Sequence, residues 1–308
     1  MGQQEFPEAL TVPHYARRED GRLSEEGLAR FRARMLEAGR VLYRDLPWRR
    51  VRDPYAVLVS EVMLQQTQVS RVLDRWSAWI LEFPTVQVLA EAPVARVLEA
   101  WQGLGYNRRA LGLRRTAETC CERYGGALPR AHADLVSLPG VGPATAAGVR
   151  AFAFGEPDVY LETNVRTVML YELFPGEAKV PDSQLAPLVA QTCDDDDPRR
   201  WYYALLDYGA YLKKTVPNPS RRSAHHARQS RFEGSHRQKR SFILRLLLDA
   251  QGVGALDVAQ VAAALGAYEQ RATRPAPSFD EVRGILDELA RDGMAQESDQ
   301  GLWTVTDR

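Results

Sequence analysis

Apolar positions along this chain recur mostly at helical spacing. Leu28, Phe31, Met35 and Leu42 step by three, four and seven after Ser24, a good N-cap, with Glu25 and Glu26 in the first turn. The next helix opens on Asp53 as cap with Pro54 at its first position, and runs through Val57, Leu58, Met63 and Leu64. Further helices are predicted over roughly 69–80, 93–101, 107–123, 143–153, 164–173, 183–192 and 199–212. Gly125-Gly126 stops the one that ends near Tyr124. No strand alternation precedes the last dozen residues, and no internal repeat is present. Residues 213–237 lack periodicity and carry Pro217 and Pro219, which reads as a basic loop or linker. From Gln238 a second unit begins, with an apolar helix around Phe242, Ile243, Leu246 and Leu247, a short helix near 258–265 and a third near 278–291. Asp299-Gln300-Gly301 then looks like a turn between two short strands inside Met294–Thr306. The fold class is therefore all-α with one small β-hairpin, and helix, helix, helix, hairpin is the order of a winged helix. The expected organisation is an extension over 1–23, a helical domain over 24–212, the loop 213–237 and a winged-helix-like domain over 238–308.

Composition narrows the class without naming a function. The chain is 45% hydrophobic and 26% charged, ordinary for a globular protein. It has no apolar run of 18 residues, so no membrane partner is expected, and its first residues lack a secretory pattern. The three cysteines, Cys120, Cys121 and Cys193, are too few for a disulfide framework or for the four thiolates of an iron–sulfur cluster. A reducing cytoplasm is the expected compartment, with the protein at the bacterial nucleoid. Lys+Arg 40 balances Asp+Glu 40, which alone argues against a nucleic-acid partner. The charges are segregated, however: nine Lys/Arg and three His lie between Lys213 and Arg240 against one acid, Glu233, just after the acidic run Asp194–Asp197.

Three motifs carry candidate chemistry. Leu138-Pro139-Gly140-Val141-Gly142, followed by Pro143-Ala144-Thr145-Ala146 opening a helix, permits a tight hairpin whose backbone N–H groups can hold a phosphate; a plain helix connection is the alternative. In Ser60-Glu61-Val62-Met63-Leu64-Gln65-Gln66-Thr67-Gln68, Glu61 and Gln65 are four apart on one helix face. A carboxyl among apolar residues has its pKa raised and can act as an acid, whereas a solvated face would make it surface polarity. Leu161-Glu162-Thr163-Asn164-Val165-Arg166 puts a carboxylate at the start of a helix, able to face Glu61 or simply to cap that helix.

Together these stretches make residues 40–212 resemble the helix-hairpin-helix (HhH-GPD) DNA glycosylases, most closely their adenine-specific, MutY-like branch. Asp45-Leu46-Pro47-Trp48-Arg49, Asp53-Pro54-Tyr55, Phe83-Pro84-Thr85, Gly103-Leu104-Gly105-Tyr106 and Leu206-Asp207-Tyr208-Gly209-Ala210 add to the match in the same order. The resemblance implies two helical lobes with the hairpin at 138–146, a duplex DNA partner carrying a lesion or mismatch, and a monomer. It implies Glu61 as the general acid that protonates a departing purine, and Glu162 as the carboxylate that stabilises the cationic sugar. It places Arg44, Trp48, Arg49, Gln65, Ala144 and Tyr203 around the flipped base, and Gln66 and Tyr106 at the gap the base leaves, Tyr106 as a wedge between base pairs. Gly140, Gly142 and Thr145 fall at the phosphate-gripping hairpin, where the family often holds a monovalent cation.

The chain also departs from that pattern. Glu162 stands where the family has Asp, and the extra methylene is expected to shift the carboxylate by about an ångström. Ala144 stands where strand-cutting members have a lysine, so no lyase activity is expected. Ala144 and Tyr203 replace polar residues of adenine-specific members. The cluster cysteines after Asp207-Tyr208-Gly209-Ala210 are missing, so no iron–sulfur cofactor is expected, and Lys213, Lys214, Arg221, Arg222, Arg228 and Arg231 in the basic stretch are expected to contact DNA instead. The third C-terminal helix carries five acids, which favours packing over groove reading and leaves the winged helix's partner unknown. The sequence thus points to a monofunctional glycosylase, adenine opposite guanine or 8-oxoguanine being the first expectation. Uracil, mismatched thymine, hypoxanthine or an alkylated purine as target, and a non-catalytic lesion binder, are the alternatives.

Overall fold

The computed structural model describes residues 5–6, 9, 11–226 and 231–307. Two compact units emerge, and neither is contiguous: Met1–Gln65 with Ala127–Arg228, and Gln66–Gly126 with Gln229–Arg308. Periodicity predicted most of the helices, but the sequence boundaries at 212/213 and 237/238 do not separate the units. Helical spacing says which face of a helix is buried, not which distant helix buries it.

The first unit contains α1 (Glu25–Leu42), α2 (Pro54–Leu64), α7 (His132–Val136), α8 (Pro143–Val149), α9 (Thr163–Leu173), α10 (Asp182–Thr192) and α11 (Pro198–Thr215). Ser24 and Asp53 cap α1 and α2 as their positions predict, accepting from the N–H of Gly27 and Ala56. Helix α11 is the spine of the unit, packing against α1 and α9, while α2 lies on α8. Trp201, Tyr202 and Tyr208 of α11 are fully buried with Phe31 and Phe152; burial of each such ring contributes on the order of 2 kcal/mol. Beyond Val149 the helix widens into a π-type turn over Arg150–Phe154.

The stretch read as a linker from 213 is built into this unit through its first half. Lys213 and Lys214 belong to the last turn of α11. Pro219–Arg222 forms a short 3-10 turn against α9, with Asn218 accepting from the backbone and hydroxyl of Ser220. Val180 then exchanges backbone hydrogen bonds with Arg222 and Ala224 at 2.9 Å each. A run of polar residues without periodicity gave no sign of this, because its order comes from bonds to another segment.

The second unit joins α3 (Val69–Glu82), α4 (Val86–Glu91), α5 (Val94–Ala100) and α6 (Arg108–Tyr124) to α12 (His236–Asp249), α13 (Val258–Arg271), α14 (Phe279–Arg291) and a hairpin of β1 (Ala295–Glu297) and β2 (Trp303–Val305). The strands pair antiparallel with Ala295 opposite Val305, and Leu256 bridges Trp303 to add a third short edge. The winged-helix order is therefore realised, but not as a free-standing domain. Val94 and Leu98 of α5 and Leu111 of α6 share one buried cluster with Ile243, Leu247, Ile285 and Trp303. Two acids of α14 and the Asp292 that follows it are matched by basic residues of α12: Lys239 with Glu281 at 2.6 Å, His236 with Glu288 at 2.8 Å, and Arg240 with Glu288 and Asp292. Arg108 of α6 reaches the same Asp292 at 2.6 Å. Part of the charge segregation in the sequence is thus an internal match between two helices.

Candidate active site

Glu61 lies on the last turns of α2, where the apolar residues around it are buried. It keeps partial exposure, yet its carboxyl sits deep in a crowded recess. Its oxygen lies against Gly148 of α8, where a Cβ would collide with both the carboxyl and the Tyr160 ring. Glycine at 148 is what lets α8 close over the acid. The Tyr160 hydroxyl donates to Glu61 Oε2 at 2.9 Å, the one side-chain hydrogen bond to this acid among the described residues. Burial pushes the Glu61 carboxyl up to about 8, the hydroxyl pulling it down and the charge of Glu162 adding to the rise. Tyr160, which no motif singled out, has its own phenol pushed up, first by burial and then by Glu61.

Glu162 caps α9: its Oε1 accepts from the N–H of Asn164 at 2.5 Å and of Val165 at 3.0 Å. The longer side chain folds back to do what an aspartate does at an N-cap, and Oε2 faces the Asn164 side chain at 3.4 Å. Burial raises its pKa; the N–H of Val165, Lys213, the N–H of Asn164 and Arg166 oppose the rise in that order. Those donors and cations favour the charged form of Glu162, whose charge adds to the rise at Glu61. The two roles weighed for Glu162, cap and site carboxylate, are compatible in one geometry.

Two sequence candidates are tied to a residue that sequence reasoning left unassigned. Asp207 is 2% exposed and holds both Arg44 and Arg49, accepting from Arg49 at 2.7 and 2.8 Å and from Nε of Arg44. It lies inside the Leu206–Ala210 motif, so its signal was present but was read only as family likeness. Tyr203 is buried between the ring of Phe152, stacked at 4.4 Å, and the guanidinium of Arg49 at 4.3 Å. Trp48 is buried beside them in a short turn, Pro47–Arg49. Arg49 and Tyr203 also line a crevice of about 520 Å³ with Tyr43, Arg52 and Arg199.

The hairpin is formed as expected. Gly140 has φ +78, a left-handed conformation that favours glycine, and Val141 N–H closes the turn on Leu138 O at 3.2 Å. Gly142 precedes α8 with ordinary backbone angles, and a Cβ there would meet nothing in the protein. Ala144 is half-buried in the first turn of α8. Gln65, just past α2, donates to the Thr145 hydroxyl at 3.1 Å and so ties the Glu61 helix to the hairpin helix. Gln66 and Tyr106 belong to the second unit, and both have left-handed backbones, φ +54 and +50.

The basic residues divide. Lys213 is half-buried and faces Glu162; burial lowers its pKa, Glu162 working against that and Arg44 with it. Arg222 donates to the carbonyls of Leu170 at 2.6 Å, Phe174 and Glu177, closing the C-terminal end of α9 where a cation is favoured. Both were expected at DNA phosphates; the structure ties them to their own unit, where the chain doubles back on α9, and leaves each partly exposed. Lys214 and Arg221 stay exposed, Arg231 pairs with Glu233 at 3.2 Å on an open surface, and Arg228 lies outside the described residues. The family's iron–sulfur cluster does not fit these residues. Cys120 and Cys121 sit on α6 and Cys193 follows α10, and the three thiols of the chain are one short of the four a cluster needs.

Comparisons with known proteins agree with this arrangement. Residues 59–188 match the HhH-GPD superfamily base excision DNA repair protein family. The chain is 35% identical over 238 residues to an adenine DNA glycosylase of Mycolicibacterium smegmatis, covering 67% of this chain and 76% of that one. It is 38% identical over 190 residues to the Homo sapiens adenine DNA glycosylase, covering 58% and 34%. It is 30% identical over 175 residues to that of Buchnera aphidicola, covering 55% and 48%. It thus spans between about a third and three quarters of these relatives' lengths. Among solved structures, a thermostable thymine-DNA glycosylase superposes with TM-score 0.54 at 26% identity, covering 59% of this chain and 86% of that one. An endonuclease III bound non-covalently to DNA shares the fold, with TM-score 0.53 at 20% identity over 62% and 89%. By sequence, by fold and by the hairpin between α7 and α8, the chain belongs to the HhH-GPD superfamily of base excision DNA repair proteins.

Proposed function

We propose that this protein is a DNA glycosylase that flips a mispaired or damaged base from duplex DNA and hydrolyses its N-glycosidic bond, with adenine opposite guanine or 8-oxoguanine as its target. The reading is carried by the pair Glu61 and Glu162: an acid crowded under Gly148, held by one phenol and pushed up to about 8 by burial, and a carboxylate that caps α9 and faces Lys213. Glu61 gives its proton to the leaving purine as the glycosidic bond breaks. Glu162 faces the positive charge that develops on the sugar, and water attacking the anomeric carbon gives its proton to the Glu61 carboxylate, which restores the acid and leaves an abasic site. The same division of labour between two carboxyl groups serves glycoside hydrolysis, and it needs no metal or cluster. The open face of Gly142 fits close approach of a phosphate to the hairpin.

Base release from a panel of duplexes, each with one modified or mismatched base, tests the reading when abasic sites are revealed by hot alkali. Adenine release is expected. Release of uracil, thymine, hypoxanthine or an alkylated purine instead assigns the same machinery to another base, a reading favoured by the thymine-DNA glycosylase likeness. Tight binding without release makes the chain a lesion binder. With Ala144 after the hairpin, the reaction is expected to stop at the abasic site. Borohydride present during turnover should then trap no protein–DNA adduct; an adduct lost in Lys213→Ala would make the enzyme a strand cutter.

A further inference from the structure

The C-terminal module has no role in the chemistry above, yet one of its residues grips the wedge tyrosine. Tyr106 is 39% exposed and held at φ +50, a conformation that costs a non-glycine residue on the order of 1 kcal/mol and persists only where the surroundings impose it. Beside its ring, Arg109 lies 5.5 Å from the centroid and is fixed by the Thr67 hydroxyl at 3.0 Å and the carbonyls of Leu104 and Gly105. Arg237, in the first turn of α12, donates to the Tyr106 hydroxyl at 2.7 Å, with its guanidinium 5.7 Å from the same ring. Ser235 caps that turn, and Ile243 and Leu247 anchor the helix in the cluster shared with Val94 and Leu98 of α5. The arginine therefore projects from a helix packed on the same core as the tyrosine's own segment.

We propose that Arg237 is a positioning residue for the Tyr106 wedge, and that the C-terminal module serves to set this wedge rather than to read a DNA groove. The match of α14 acids to α12 bases supports the second half, since it removes the basic face that groove reading requires. The inference rests on the glycosylase reading, in which Tyr106 enters the base stack. With 2-aminopurine beside the target base, fluorescence reports unstacking on binding. Tyr106→Ala should abolish the rise; if the rise survives, the wedge reading fails whatever Arg237 does. Given that loss, Arg237→Gln and Tyr106→Phe should each lower the unstacking equilibrium by about five-fold, the weight of one half-exposed charged hydrogen bond. The double variant should be no worse than either single one, with the salt dependence of binding unchanged. Additive losses, or a smaller salt slope for Arg237→Gln with normal unstacking, would overturn the proposal and give the guanidinium to a phosphate.

Discussion

Two glutamates of the first unit show how the same side chain serves structure in one place and chemistry in another. Glu172 is 2% exposed and saturated: Tyr15 donates at 2.7 Å, Tyr208 donates to the other oxygen, and Arg34 reaches both at 3.1 and 3.2 Å. Glu61 has one hydroxyl and keeps contact with solvent. A carboxylate ringed by donors and a cation is fully partnered and ties distant segments of the fold together. One that is crowded, sparsely bonded and beside another carboxylate is stable as an acid. A sealed acid braces a fold; an accessible, poorly compensated one stores a proton.

Four variants break or sharpen that contrast. Glu61→Gln should lower single-turnover excision by about a thousandfold, the range of general acid catalysis, while duplex binding persists. Because the folded Glu61 titrates near 8 against 4.5 for the free group, its protonated form contributes stability that is complete below 4.5 and lost as pH rises through 8. Urea unfolding of wild type should therefore weaken between pH 5 and pH 9 relative to Glu61→Gln. Glu172→Ala should act the other way round, costing about 3 kcal/mol in urea unfolding because Arg34 loses its buried partner, with excision by the folded fraction unchanged. Tyr160→Phe removes the bond that holds the Glu61 pKa down, so the alkaline limb of the pH–rate profile should move to higher pH. Lys213→Met should produce the smallest change. Without that cation Glu162 ionises at higher pH, so the acidic limb moves up and the alkaline limb stays.

Much of this was legible before the fold was known. Ser24, Asp53 and Gly125 mark helix ends through local backbone chemistry, and the hairpin glycines and Glu61 stand in motifs whose order carries the family. What stayed hidden depends on contacts between distant segments. Tyr160 matters only because the segment leading into α9 brings it over Glu61; Lys213 and Arg222 look like solvated cations until the chain folds onto α9. Short helices such as α4 and α7 offer too few turns for periodicity, and α13 runs to Arg271 where the pattern suggested an end near 265. The merging of α12–α14 with α5 and α6 is of the same kind, since a winged-helix pattern does not say what its outer face covers.

The claim on which everything else rests is that Glu61 carries a proton at neutral pH. Carboxyl carbon-13 resonances of protein labelled at glutamate, with Glu61→Gln identifying the signal, follow that proton directly through a pH titration. The account predicts a midpoint about 8. A midpoint near 4.5, with the side chain an anion at pH 7, would contradict it and leave the leaving base without its acid.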